Sequence, residues 1–158
     1  MNEITLNTMD GEVVSFVGDL VCQAEGCVEF SDGIDRNFGL KLYAIASGGF
    51  VPSIEYFSNS PMERTGCIAE IVDLAKDIEN FFFVFTPEEL LPDSAGLAQE
   101  EVETRTRLLN CLRKNYESLN FDFLDQVEAV VSEQAITEGE QATAKPQANE
   151  SESSSLGK

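Results

Sequence analysis

The amino-terminal third of the chain alternates apolar and polar positions as half-buried strands do. Two runs, ITLNT and EVVSF, flank Met9-Asp10-Gly11, and Asp-Gly between such runs is a strong hairpin signal. Pro52 has no backbone N–H, so we expect its strand, FVPSIEYF, to lie at a sheet edge or to carry a bulge. The pattern predicts five strands, near residues 3–8, 12–22, 38–47, 50–57 and 66–72.

The stretch CIAEIVDLAKDIENFFFVF reads as a strand followed by a helix. As a single helix it would be apolar on nearly every side, which one buried face does not accommodate. If Asp73 instead caps a helix that starts after it, the apolar residues form one stripe. The stripe recurs at i, i+3, i+4 and i+7 and consists of Ile78, Phe81, Phe82 and Phe85. We expect these four side chains to form a core against the sheet.

Two apolar residues of this helix, Phe83 and Val84, lie outside the stripe. We expect the long helix that follows to cover at least one of them, through Leu109 or Leu112. Left uncovered, a phenylalanine beside a valine starts an apolar patch of the kind that marks interfaces. Phe83 and Val84 are therefore the candidate partner-binding residues.

A helical turn with Thr86 as N-cap and Pro87 at its first position is predicted next, and then a long helix over about residues 97–131. A possible break lies at residues 118–122. The apolar positions of the long helix step by threes and fours, at Leu109, Leu112, Tyr116, Leu119, Phe123, Val127 and Val130. Such a stripe is typical of a helix packed on its own sheet, and the alternative is a seam between two copies. We expect a monomer, or a homodimer through the long helix.

Residues 133–158 contain almost no large apolar side chain and are rich in Gln, Ala, Glu and Ser. Such a segment buries too little surface to fold. We predict one α+β domain over residues 1–132, an antiparallel sheet of about five strands packed against the Phe-rich helix and the long helix. Residues 133–158 are predicted to be a disordered acidic and polar tail.

Deletion of residues 133–158 should leave the thermal unfolding midpoint nearly unchanged, because their composition gives them no core to lose. Differential scanning calorimetry of the full and shortened chains measures this directly. A fall of many degrees would show that the tail packs on the domain.

Three segments, FVGDLV, FGLKLYAIASGGFVPSIEYFS and EIVDLAKDIENFFFVFTPEEL, together resemble a group of small uncharacterised bacterial proteins. In that group a strand ends in a glycine turn, and a V-D-x-x-x-x-I/V helix ending in two phenylalanines follows. The resemblance spans residues 16–117 and rests on turn glycines and core aromatics. It implies a bacterial protein with the strand-then-helix order of residues 67–85, and it implies no activity.

Charge is the most unusual property of the chain, with 29 acidic and 10 basic residues and a net charge of −19. Such a surface repels nucleic acid and anionic lipid, and favours basic proteins, cationic ligands or metal ions. The alternative explanation of the acidic charge is that it serves only to keep the protein soluble. The amino terminus resembles no secretory signal and no run is long enough to span a membrane, so we expect a cytoplasmic protein.

The absence of histidine excludes imidazole bases and ligands, and neither a P-loop nor a G-x-G-x-x-G motif is present. We therefore expect no cofactor and lean against an enzyme. Glu55, Glu70 and Asp73 are the candidates for a divalent cation site near one sheet edge. The cysteines, which we expect to be buried and inert thiols, are Cys22, Cys27, Cys67 and Cys111.

The leading hypothesis is a non-enzymatic interaction protein whose acidic surface binds a more basic protein. Inhibitors, immunity proteins, chaperones and mimics of DNA charge all belong to this class. The alternative is a carboxylate-based metal-binding protein or enzyme. A purely structural domain is the third hypothesis.

Overall fold

The computed structural model describes the backbone of residues 1–150 and the side chains of residues 1–133. The strands are β1 (Asn2–Asn7), β2 (Val13–Val28), β3 (Arg36–Ile45), β4 (Phe50–Ser58) and β5 (Gly66–Ala69). They are followed by α1 (Ala75–Val84), a 3₁₀ turn (Pro87–Leu90) and α2 (Gln99–Glu150). The α+β class and the strand-then-helix order are confirmed. The predicted tail, residues 133–158, lies almost wholly outside the residues whose side chains are described and stays a prediction.

All five strands pair antiparallel in chain order, β1-β2-β3-β4-β5. The hairpin between β1 and β2 turns at the predicted Asp-Gly pair, where Gly11 has a φ of 89°. The N–H of Thr8 closes this turn by donating to the carbonyl of Glu12 at 2.9 Å. A positive φ at this position is one that glycine adopts without strain.

The sheet curls until its first and last strands meet. A bulge at residues 20–22 interrupts the pairing of β2 with β3, and bulges bend strands and increase their twist. At Gly18 an added Cβ would stand 2.1 Å from the carbonyl oxygen of Ala44, so this close approach of β2 to β3 requires glycine. Beyond the end of β1, Thr8 forms a bridge with Cys67 of β5.

Pro52 lies in an inner strand, and the pairing of β4 shows no register shift there, so the prediction of an edge position or a bulge is wrong. β4 pairs with β3 along its whole length, and with β5 from Ser53 to Tyr56. Beyond Pro52 the next contact on that side is a bridge between Phe50 and Val72. On this side of β4 the ladder therefore stops at Ser53, next to the proline, which has no N–H to donate.

A large core lies between one face of the sheet and the two α-helices. Phe82 is fully buried there, with its ring centroid 5.2 Å from those of Phe81 and Phe123. The predicted α1 stripe is confirmed as core. The α2 residues buried in the same core are Leu108, Leu109, Leu112, Tyr116, Phe123 and Val127, as packing on its own sheet predicts. A smaller core occupies the other face of the sheet, around Phe16, Tyr43 and Val51.

The helix ends differ in part from the prediction. Leu74, not Asp73, occupies the N-cap position of α1, and no side chain caps that end. The 3₁₀ turn does begin after Thr86 with Pro87, although the threonine hydroxyl makes no capping bond. The possible break at residues 118–122 is absent, because α2 continues through it.

Candidate functional site

Phe83 and Val84 project into solvent from the last turn of α1. Their exposed fractions are 70% and 65%, so the expectation that α2 covers one of them is wrong. The residues expected to provide the cover, Leu109 and Leu112, are buried in the large core instead. The ring contacts from α2 are made to the stripe, from Phe123 to Phe82 and from Tyr116 to Phe85, and not to Phe83.

A second exposed phenylalanine, Phe121 of α2, borders the same groove as Phe83. Phe121 is 73% exposed although both Asn120 and Phe123 beside it are buried. The groove between them has a volume of about 340 Å³. Its apolar lining comes from α1, the 3₁₀ turn and α2, namely from Phe82, Phe83, Phe85, Pro87, Tyr116, Phe121 and Leu124. The topology thus brings two aromatic side chains, 38 positions apart in sequence, to one apolar depression.

The polar groups of the groove are few. Arg113 pairs with the Glu88 carboxylate at 3.5 Å, and both side chains are about half exposed. The carboxylate-bearing Glu117 also lines the groove. Asn120 is 7% exposed, and its Oδ1 is buried without a hydrogen-bond partner. The groove is therefore a mainly apolar depression whose polar lining consists of Thr86, Arg113, Glu117 and Asn120, together with Tyr116.

Tyr116 also lines the groove, but its hydroxyl is committed to structure. It donates to the backbone carbonyl of Phe82 at 2.6 Å, which ties α2 to α1. Burial raises the pKa of Tyr116, so the phenol stays protonated and keeps this bond at neutral pH. Tyr116 is thus a fixed part of the groove floor and has no proton to give to a ligand.

Glu55, Glu70 and Asp73 do not come together as a cation site. Glu55 lies on the sheet face opposite the helices and accepts from Lys41 Nζ at 3.0 Å. Glu70 and Asp73 lie beyond the end of β5 and are exposed. Within the described side chains, no group of three or more cysteines and carboxylates is placed to hold a metal ion.

The cysteines are only partly as expected. All four are free thiols. Cys22 and Cys67 are buried, and burial raises the pKa of both. Cys27 is exposed, which corrects the prediction of a buried thiol, because it faces the solvent side of β2 opposite Asn37. Cys111 is half-buried.

A buried ionic cluster at the start of β3 was missed by sequence reasoning. The guanidinium of Arg36 donates to both oxygens of Asp32, at 3.0 and 2.8 Å, and to both of Glu63, the shortest contact being 2.6 Å. The hydroxyl of Tyr56 donates to Glu63 at 2.6 Å. The side chains of Arg36 and Glu63 are almost completely buried. The cluster thus links the loop before β3, which carries Asp32, and the loop after β4, which carries Glu63, to the sheet.

The pKa values in this cluster favour the charged state. The hydrogen bond from Arg36 is the main cause that lowers the pKa of Asp32. Burial alone would raise the pKa of Glu63, but its bonds from Arg36 and Tyr56 outweigh burial and lower it. Burial alone would lower the pKa of Arg36, but its hydrogen bonds to the Glu63 and Asp32 carboxylates outweigh burial and raise it. Since its donors are already occupied by these carboxylates, the cluster is structural.

Comparison with protein-family models, with curated proteins and with solved structures finds no match to this chain. The resemblance to small bacterial proteins stays a prediction. Of the helices described, none combines the length and the apolar character that crossing a bilayer requires. The geometry of the groove and the charge of the chain are the observations on which a functional proposal rests.

Proposed function

We propose that the chain is a non-enzymatic, cytoplasmic interaction protein that binds a segment of a basic protein in the groove between α1 and α2. The observation that supports it most is the pair of exposed phenylalanines, Phe83 and Phe121, on one apolar groove. Clustered exposed apolar surface marks interaction sites, and aromatic anchors in pockets supply most of the energy at protein interfaces.

The charge of the chain favours a basic occupant. The net charge is −19, and Arg113, the basic residue among the described side chains that line the groove, is paired with Glu88. Long-range attraction would speed the encounter with a positive partner and slow it with nucleic acid or anionic membrane. Inhibition, immunity, chaperoning and mimicry of DNA charge are all activities of this form.

The size and apolar lining of the groove suit one face of an amphipathic helix. A volume of about 340 Å³ is at the low end for binding pockets, enough for a few apolar side chains but small for a folded domain. An amphipathic helix places apolar side chains in such a groove and keeps its charged residues at the rim. The partner segment we propose therefore carries apolar anchors flanked by lysine or arginine.

A fluorescent amphipathic peptide of leucine and lysine should bind the full-length protein, and Phe83→Asp should weaken binding at least about tenfold. The added carboxylate would by itself attract the peptide, so a loss reports the missing aromatic anchor. Fluorescence anisotropy measures the dissociation constant. The association rate should fall steeply as rising salt shortens the Debye length from about 30 Å to about 10 Å.

The matched control is Phe57→Asp, which makes the same change at a phenylalanine of β4 that is 55% exposed and does not line the groove. This variant should bind the peptide like the unaltered protein. Equal affinity of the two variants would mean that the peptide is held by general charge and would contradict the groove. An association rate that ignores salt would contradict the role of the acidic surface.

A further inference from the structure

We infer that the outer edge of β1 is a second binding surface, separate from the groove, where an extended segment of a basic protein adds to the sheet as a further strand. β1 lies at the end of the strand order β1-β2-β3-β4-β5 and pairs only with β2 among the described strands. Where the sheet curls back on itself, β5 bonds to the chain at Thr8 and Met9, beyond the end of β1. The edge of β1 itself is therefore open.

The hydrogen bonds at the end of β1 show which residues present their backbone groups at this edge. The N–H of Thr8 points towards β2, because it donates to the carbonyl of Glu12. The N–H of Met9 points the other way and donates to the carbonyl of Cys67 in β5. Backbone groups alternate in this way along an antiparallel strand. By the register of β1 with β2, the residues whose N–H and C=O groups face the open edge are Glu3, Thr5 and Asn7.

These three edge residues are exposed. Within the part of the chain that the structure describes, no backbone hydrogen bond reaches them from the side opposite β2. Thr5 also shows the expected geometry, since its hydroxyl lies 3.3 Å from that of Ser15. Side chains approach closely in this way in the pairs of an antiparallel ladder that do not exchange backbone hydrogen bonds. Three successive sets of backbone donors and acceptors are thus available for pairing.

β1 lacks the features that protect most edge strands from pairing. Such strands are usually very short or contain lysine, proline or a bulge. β1 has six residues, NEITLN, with neither lysine nor proline, and its pairing with β2 shows no register shift. An unprotected edge is a template for strand addition, which is a common mode of recognising an extended peptide.

The charge around this edge favours a basic occupant. Residues 1–35 contain eight acidic residues and no lysine or arginine. Glu3 lies on the edge strand itself and is exposed. A second copy of the chain would bring two such acidic edges together, and like charges in cross-strand contact are destabilising. A lysine or arginine beside Glu3 would instead form a favourable cross-strand pair.

The two faces of β1 determine the sequence pattern of the occupant. Ile4 and Leu6 are half-buried and pack against the smaller core, on the sheet face away from the helices. Glu3 and Thr5 face the opposite side, because side chains alternate along a strand. An added strand has the same alternation. The occupant we infer therefore alternates apolar residues, which lie beside Ile4 and Leu6, with lysine or arginine, which lies beside Glu3.

The first test uses a fluorescent peptide of alternating valine and lysine and two N-methylated versions of it. In an antiparallel ladder the residues opposite Glu3, Thr5 and Asn7 carry the lysines, and their N–H groups face β1. N-methylation of the lysine amides should therefore weaken binding to the full-length protein at least about tenfold. N-methylation of the valine amides should leave the affinity unchanged, because these amides face away from β1. Fluorescence anisotropy measures the affinities. Equal binding of the two methylated peptides, or weaker binding of the valine version, would overturn the inference.

Hydrogen exchange of the β1 amides gives a direct readout of the pairing. The amides of Glu3, Thr5 and Asn7 should exchange fast in the free protein and become protected when the valine–lysine peptide is bound. The amides of Ile4 and Leu6 point towards β2 and should be protected in both states. Exchange at the three edge amides that stays fast with peptide bound would contradict strand addition.

A pair of variants with the same change in net charge separates the edge from the general acidity of the chain. Glu3→Lys should weaken binding of the valine–lysine peptide roughly fivefold, because a favourable cross-strand pair becomes a repulsive one. Glu128→Lys reverses an exposed carboxylate on α2 and should leave the affinity nearly unchanged. Equal losses in the two variants would mean that the peptide is held by general charge, and would overturn the inference.

Two further results distinguish this edge from other sites. Phe83→Asp should bind the valine–lysine peptide like the unaltered protein, and a loss in this variant would place the peptide in the groove and overturn the inference. Sedimentation of the protein alone should show no dimer that the peptide dissociates, since such a dimer would make a second copy the occupant of the edge. Failure of either test leaves the proposed function intact, because the groove is tested separately with the leucine–lysine peptide.

Discussion

Replacing Phe82 with alanine should lower the free energy of unfolding by about 3–5 kcal/mol, whereas Phe83→Ala should change it by less than about 0.5 kcal/mol. Phe82 is fully buried between two aromatic rings, so its removal leaves a cavity in the core. Phe83 is 70% exposed, so its truncation removes little buried surface. Denaturant unfolding followed by circular dichroism measures both values.

The pair is its own control, since the two residues are neighbours of the same type in one helix. A loss of about 3–5 kcal/mol is a large share of the roughly 5–15 kcal/mol that stabilises a typical domain. Equal losses at Phe82 and Phe83 would show that the whole stretch is core. Phe83 would then be explained by folding, and its exposure would no longer indicate a binding site.

Replacing Arg36 with leucine should destabilise the protein by about 3–5 kcal/mol, because it leaves the buried Glu63 carboxylate without its cation. The matched control is Arg64→Leu. Arg64 is half exposed and its distance to Asp10 is 3.9 Å, so its loss should cost less than about 1 kcal/mol. Chemical denaturation of the two variants gives the comparison. If both variants lost less than about 1 kcal/mol, the cluster would contribute little to the stability of the fold.

The pH dependence follows from the direction of the pKa shifts. Both Asp32 and Glu63 have lowered pKa values in the folded protein. Their contribution is present above the unfolded values, about 3.9 for Asp and 4.3 for Glu, and is lost as pH falls through the folded values. The stability difference between the unaltered protein and Arg36→Leu should therefore shrink as pH drops below about 4. A difference that stays constant into this range would contradict the pairing.

The strands and the stripe were predictable because their physical causes are local. The Asp-Gly turn before Glu12 and the alternation from Phe38 to Ala46 follow from strand geometry alone. The spacing of Ile78, Phe81 and Phe82 likewise fixes one face of a helix. Each signal extends over a few residues, so no tertiary information is needed to read it.

The features that were missed depend on contacts between distant segments. Arg36 and Glu63 are 27 positions apart and meet only after β3 and β4 have paired. The cover expected for Phe83 is wrong because Leu109 and Leu112 are buried in the large core, while Phe83 stays exposed. Phe121 did carry a usable signal, since it falls outside the apolar stripe of its helix as Phe83 does.

The most direct test of the groove is a map of where the leucine–lysine peptide binds, from amide chemical shifts of the ¹⁵N-labelled full-length protein. The largest shift changes should fall on both walls of the groove, at Phe83 and Phe121, and on the Asn120 side-chain amide. Phe57 and the rest of the sheet should change little. Shift changes spread over the acidic surface, with none concentrated between α1 and α2, would contradict it.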